Sequence, residues 1–256
     1  MILNEVLISL QAAWLQQHLD KPVLEWFEWA THQIKQQDKH RVGADELATA
    51  WVNLSAQAGR QCSAVKHLVY GMPFLDKSFS MIAIIRMQLL AYTLLMFDEA
   101  LRYEVFKQCL RFSDDNEKQA LVQGLDRLDM QGNSKALIVD LCRTNNTALF
   151  ASIALENAWP AIHFSDVEFE QLLLKALFSD FNIDLIEGLN KRHSQRLSQL
   201  AFDYLSERIF AKRSWPSSIY SAIDPKHLTC EQKERLVLLP LQVQTLLNPP
   251  YRKRRE

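Results

Sequence analysis

Glycine is scarce in this chain: its 256 residues hold six, beside eight prolines and four cysteines. So few glycines exclude a protein built from many tight hairpins, whose turns need positive φ. The cysteines, Cys62, Cys109, Cys142 and Cys230, lie far apart and form no CxxC pair. That excludes zinc ribbons and thioredoxin-type redox sites and points to reduced thiols. Charge of one sign is missing too, since 29 Lys and Arg face 30 Asp and Glu for a net charge of −1. The chain as a whole therefore has no pull toward nucleic acid or acidic membranes. Met1-Ile2-Leu3-Asn4-Glu5 lacks the basic region of a signal peptide, so the expected location is the cytoplasm. A long uncharged hydrophobic run is also absent. The nearest, Met81 to Phe97, encloses Arg86 and Gln88 and is followed by Asp98-Glu99. Charge at the centre of a spanning helix costs about 2.5–3.5 kcal/mol, so a buried helix is expected there and no transmembrane segment.

Catalytic signatures are missing in the same way. Asp114-Asp115 is followed by Asn116 and Glu117, which lacks the second carboxylate pair of a DDxxD diphosphate site. No Glu has a His three residues on, as di-iron bundles require. The phosphate loops GxxxxGK[ST] and GxGxxG are absent, as are GxSxG and HExxH. No catalytic residue, metal or cofactor is assigned, and a non-enzymatic protein is the favoured reading.

What is present is helical. Leu, Ala, Gln, Glu, Lys and Arg are abundant, and they lose little side-chain freedom in a helix. Leu3, Val6, Leu7, Leu10 and Trp14 recur with helical spacing and predict one face of a first helix. Pro22 fits the first turn of a second, with Leu24, Phe27 and Ile34 on its apolar side. A third runs from near Ala44 to Ala58, and Leu101, Val105, Cys109 and Phe112 make another stripe. Asp114 with Glu117, Ser165 with Glu168 and Thr229 with Gln232 read as capping boxes. Gly132 and Gly188 read as stops, Asn182 as a cap and Pro216 as a start. Gly59, Gly71 and Pro73 punctuate a stretch in which no strand is expected. Asn248-Pro249-Pro250 should end regular structure. The fold class is all-α, with about ten to twelve helices in a single domain over residues 1–247. Short turns suggest a HEAT-like curved helical stack, with an irregular α-bundle as the alternative. Residues 248–256 carry Arg252-Lys253-Arg254-Arg255 and read as a disordered basic segment, or as a binder of anionic lipid or nucleic acid.

Mixed polar residues inside apolar helices mark Cys142 to Arg208 as the candidate site. Arg143-Thr144-Asn145 can cap a following helix through Thr144 or Asn145. Arg143 would then meet either an anion or a carboxylate of this chain. Gln171 and Lys175 sit one turn apart among Leu172, Leu173, Leu174 and Phe178. Lys175 is read as paired with Asp203 or Glu207, or else as a desolvated base. His163 lies between Ile162 and Phe164 and reads first as a packing residue, with acid–base work as the second reading. Glu28 with His32, and Asp203 with Glu207, could each supply two metal ligands without an identifiable third. The candidate binding residues are Arg143, Asn145, Asn157, His163, Gln171, Lys175, Asp203, Glu207 and Arg208.

These residues also resemble a known family. Cys142-Arg143-Thr144-Asn145, Asn157-Ala158-Trp159-Pro160 with His163-Phe164, Gln171 to Phe178, Gly188-Leu189 with Arg192, and Asp203-Tyr204 to Arg208 look like the ordered elements of EboA-like proteins. The likeness runs over 139–215, with a shorter element at Arg41-Val42-Gly43. The family's Phe-Glu is Phe150-Ala151 here, its Tyr is Trp159, and its Trp-Asn-Gln is Phe169-Glu170-Gln171. The resemblance implies no established catalytic activity. It implies an accessory protein beside a membrane prenyltransferase or other enzymes encoded in the same small-metabolite gene cluster, while the anion reading of Arg143 makes a small anionic metabolite a candidate ligand.

Overall fold

A computed structural model describes residues 1–37, 42–62, 69–72 and 75–247. Arg41, Pro73, Asn248-Pro249-Pro250 and the basic run at 252–255 lie outside them. The architecture is all-α apart from one hairpin, and it divides into two compact units, Met1–Ile153 and Ala154–Glu256.

The first unit is built around α4 (Met81–Leu95), the run whose apolarity invited a membrane reading. Eleven of its residues are buried, because α1 (Glu5–His18), α2 (Lys21–Lys35), α3 (Ala44–Gln61), α5 (Glu99–Phe112) and α6 (Asp115–Gln123) all pack against it. A helix that is apolar nearly all round belongs at such a centre. Among the described residues no helix is long and apolar enough to cross a membrane. The short α7 (Leu125–Leu128) and α8 (Lys135–Leu141) lead to α9 (Thr147–Ala154).

Three expectations are corrected in this unit. A strand pair stands where none was expected: β1 (Val69–Met72) runs antiparallel to β2 (Leu75–Ser80), with Tyr70 opposite Phe79. The pattern is too short to announce itself by alternation, and β2 runs straight into α4, whose first turn the Ser80 hydroxyl caps. The inner face of α1 is also rotated from the predicted one. Val6 and Leu10 are 69% and 43% exposed, whereas Ile8, Gln11, Trp14 and Leu15 are buried. Gln11 is the reason: its amide donates to the Ile84 carbonyl of α4 and accepts from the buried Arg127, so a polar residue occupies the core face. Likewise Leu101 and Phe112 of the α5 stripe are exposed, and Phe106 and Leu110 join Val105 and Cys109 inside.

The second unit is organised on α12 (Gln195–Phe210). α11 (Asp166–Phe178), α13 (Cys230–Leu238) and the 3₁₀ turns Ser217–Ala222 and Pro225–His227 lie against it. α10 (Ala158–His163) precedes α11, 3₁₀ turns at Ile183–Leu185 and Leu189–Lys191 follow it, and α14 (Leu241–Leu247) comes last. All three predicted capping boxes form with both reciprocal bonds. Asn182 caps the Ile183–Leu185 turn, and Gly132 and Gly188 adopt positive φ.

Candidate functional site

The signature residues fall in both units. In the first, the cap of α9 is one residue later than expected: Asn146, not Thr144 or Asn145, accepts the Leu149 N–H, and the Thr144 hydroxyl accepts the Asn146 N–H. Arg143 is 83% exposed at its side chain, with Nε 3.7 Å from the Asp140 carboxylate. Of the two readings for Arg143, this contact is the carboxylate of its own chain. Asn145 is exposed.

In the second unit, much of the signature holds the chain to itself. Asn157 caps α10 by accepting the Trp159 N–H. The His163 ring leans on Trp159, with centroids 4.7 Å apart. Gly188 sits at φ +79, where a Cβ would lie 2.5 Å from that of Ala161 on α10. Four residues on, Arg192 donates to the Ala161 and Phe164 carbonyls at the end of α10, pairs with Asp166 at 2.6 Å and covers the Phe169 ring. A helix this short leaves its last carbonyls without intrahelical donors, and Arg192 supplies them. Gly188 and Arg192 are thus a staple that fastens α10 to α11.

Asp203 and Arg208 have separate partners. Asp203 accepts from Gln232 and, at 2.6 Å, from Arg235, both on α13. Arg208 donates to the Ser214 carbonyl and lies over the Tyr204 ring. Lys175 is half-buried, and Gln171 and Glu207 are exposed. Among the described residues no group of three His, Cys, Asp or Glu side chains is placed to hold a metal ion.

Other polar groups came into view only with the fold. Ser198 is fully buried, donates to the Ser194 carbonyl and accepts the Asp224 N–H, with Nδ1 of His193 and His227 at 3.5 and 3.4 Å. A buried hydroxyl engaged on this many sides braces α12 against the Pro225–His227 turn. In the first unit, burial pushes the Glu117 carboxyl above its usual range, against the lowering effects of the Asp114 N–H it accepts and of the Arg86 guanidinium. Arg127 is 1% exposed, bonded to Gln11 and Asp126 and stacked over Phe79.

A well-formed concavity lies away from the signature, between α2, α3 and α4. It is a cleft of about 180 Å³ with Trp29 and Trp51 in its walls and Ile34, Leu47 and Leu54 beneath. Gln33 and Gln37 line the α2 side, Asn53 the α3 side, and Thr93 comes from α4. Trp51 is buried with its indole N–H committed to the Arg86 carbonyl, so it offers a ring face, while Trp29 is 46% exposed at the mouth. Among the described residues, the lining side chains include no acid, base or thiol. Aromatic and aliphatic walls with a few amides suit binding of an uncharged molecule. Trp29 and Gln33 do share one edge of α2 at a spacing of four, which is a hint of the cleft that the sequence carries.

No curated protein and no solved structure matches this chain. A family model does, over residues 7–224, and its description is "Metabolite traffic protein EboA". The match covers most of the chain, from the first helix to the turns beyond α12, so the chain belongs to the EboA family of metabolite traffic proteins.

Proposed function

We propose that this protein is a non-catalytic accessory that binds a small metabolite, and that the α2–α3–α4 cleft is where it does so. The observation that carries the reading is the cleft itself: among the described residues, two indoles and an aliphatic floor with neutral amides at the edge. At about 180 Å³ it is smaller than a typical drug-sized site, so it would take a small molecule or one apolar part of a larger one. An aromatic ring or an isoprenoid branch fits that chemistry. An anionic group, if the metabolite has one, would stay outside in water. The family's description as metabolite traffic proteins agrees with capture and release without conversion. Work beside a cluster-encoded enzyme, such as a membrane prenyltransferase, is the setting we infer for it.

Ligand-observed NMR and tryptophan quenching with indole and geraniol test the assignment. Both probes should bind; Trp29→Ala should weaken binding by about fivefold, since a stacked aromatic contributes about 1 kcal/mol, and the cleft-filling Ala50→Leu by about tenfold or more, since a filled cleft removes the site. The melting temperature should stay within a few degrees of the parent. Binding that neither change disturbs would place the metabolite site elsewhere.

A further inference from the structure

The second unit carries an apolar surface that its own packing does not use. α13 and α14 meet through Leu239-Pro240, and their apolar residues divide into two sets. Leu236, Leu239, Val243 and Leu247 are 3–7% exposed and pack inward. Val237, Leu238, Leu241 and Leu246 are 70%, 73%, 77% and 51% exposed. Three large aliphatic side chains so open within five residues form a patch of the kind that marks an interaction site. The charged residues of α13, Glu231, Lys233, Glu234 and Arg235, lie N-terminal to this patch.

A second feature lies next to it in sequence. Arg252-Lys253-Arg254-Arg255 puts four positive charges in a row in a chain whose net charge is −1, so the rest of the chain carries −5. Four residues separate Leu247 from Arg252, a distance of five steps along the chain, and an extended chain spans at most about 3.6 Å per residue. The first residue of the basic run can therefore lie no more than ~18 Å from Leu247, the last residue of α14.

We propose that this face docks on a membrane surface bearing anionic lipid, with Val237, Leu238, Leu241 and Leu246 entering the interface and the basic run meeting the headgroups. An apolar cluster joined to a polybasic segment is the pair of signals that stable peripheral attachment needs, because either alone is weak. The protein lies on the bilayer and does not cross it. Two other occupants fit less well. A second copy docking patch to patch would bring two runs of four positive charges together. Nucleic acid would satisfy the basic run but leave the four aliphatic side chains in water. The inference does not depend on the cleft.

Co-flotation of the full chain with vesicles tests it, comparing phosphatidylcholine alone with phosphatidylcholine containing about 30% phosphatidylserine, at low and high salt. The protein should float with the anionic vesicles, and high salt should weaken that binding. Leu238→Ser with Leu241→Ser, and separately Arg252, Lys253, Arg254 and Arg255 all →Gln, should each lower partitioning by about tenfold or more. The substituted leucines are exposed, so far-UV circular dichroism and the melting temperature should match the parent. Failure of the parent to float with anionic vesicles would overturn the proposal. So would equal flotation of the leucine variant, binding of duplex DNA that only the basic substitutions abolish, or a dimer that the leucine substitutions dissociate.

Discussion

Gly188 shows how a residue of the family signature acts through geometry. Its φ of +79 and the 2.5 Å separation from the Ala161 Cβ leave no room for a side chain. Gly188→Ala should destabilise by about 2 kcal/mol or more, from strained backbone and overpacking together, measured by urea denaturation. An unchanged midpoint would mean the staple is not needed. Glu117 acts through charge. Burial raises its pKa from an ordinary value of 4.5, so the native chain keeps this proton to higher pH than the unfolded chain does. Stability from this residue is therefore present at acid pH and declines as pH rises through the raised value. Glu117→Gln preserves the capping box, because Gln also serves at that position. It should remove this decline, giving a more stable protein at pH 7 and no gain near pH 4 in parallel thermal melts. A variant with the parent's pH profile would show that Glu117 is not the group responsible.

At the scale of elements, the first unit joins α1, α4 and α7 through polar contacts inside an apolar core. Gln11 bridges the Ile84 carbonyl and the Arg127 guanidinium, and Arg127 also pairs with Asp126 at 3.3 Å. Removing one partner of a buried charged network leaves the others unsatisfied, so Arg127→Ala should cost about 3–5 kcal/mol. A double-mutant cycle with Gln11→Leu should show strong coupling, and additive effects would refute the bridge. The same elements show what sequence reading reaches. Asp114, Ser165 and Thr229 were legible as caps because cap and partner lie three residues apart and the bond is local. The face of α1 was not legible, because Gln11 is made a core residue by α4 and α7, far along the chain. The β1–β2 pair was missed for a related reason: four- and six-residue strands carry too short a pattern to separate from loop.

For the whole molecule, the division between the two units falls at the end of α9, inside a helix and not in a linker. A single cooperative domain is therefore our expectation. Tryptophan fluorescence and far-UV circular dichroism should give coincident urea transitions, and two separated midpoints would reveal independent domains. The thiols report on the same opening. Cys62 and Cys109 are fully buried, and burial pushes the Cys62 thiol up to about 11 and the Cys109 thiol higher still, whereas Cys230 is exposed. A thiol reagent at pH 8 should modify Cys230 quickly and Cys62 and Cys109 only at the rate of unfolding. Rapid modification of either buried cysteine in the native protein would contradict this packing. The sequence by itself determined the helical class, the three capping boxes, the buried character of Met81–Phe97 and the family, because each rests on short-range periodicity or ordered motifs. Only the tertiary structure decided which polar residues are spent on internal bonds. It also decided that Trp29, Trp51 and Thr93, from three separate helices, line one cleft, because such convergence depends on helix packing that no local pattern encodes.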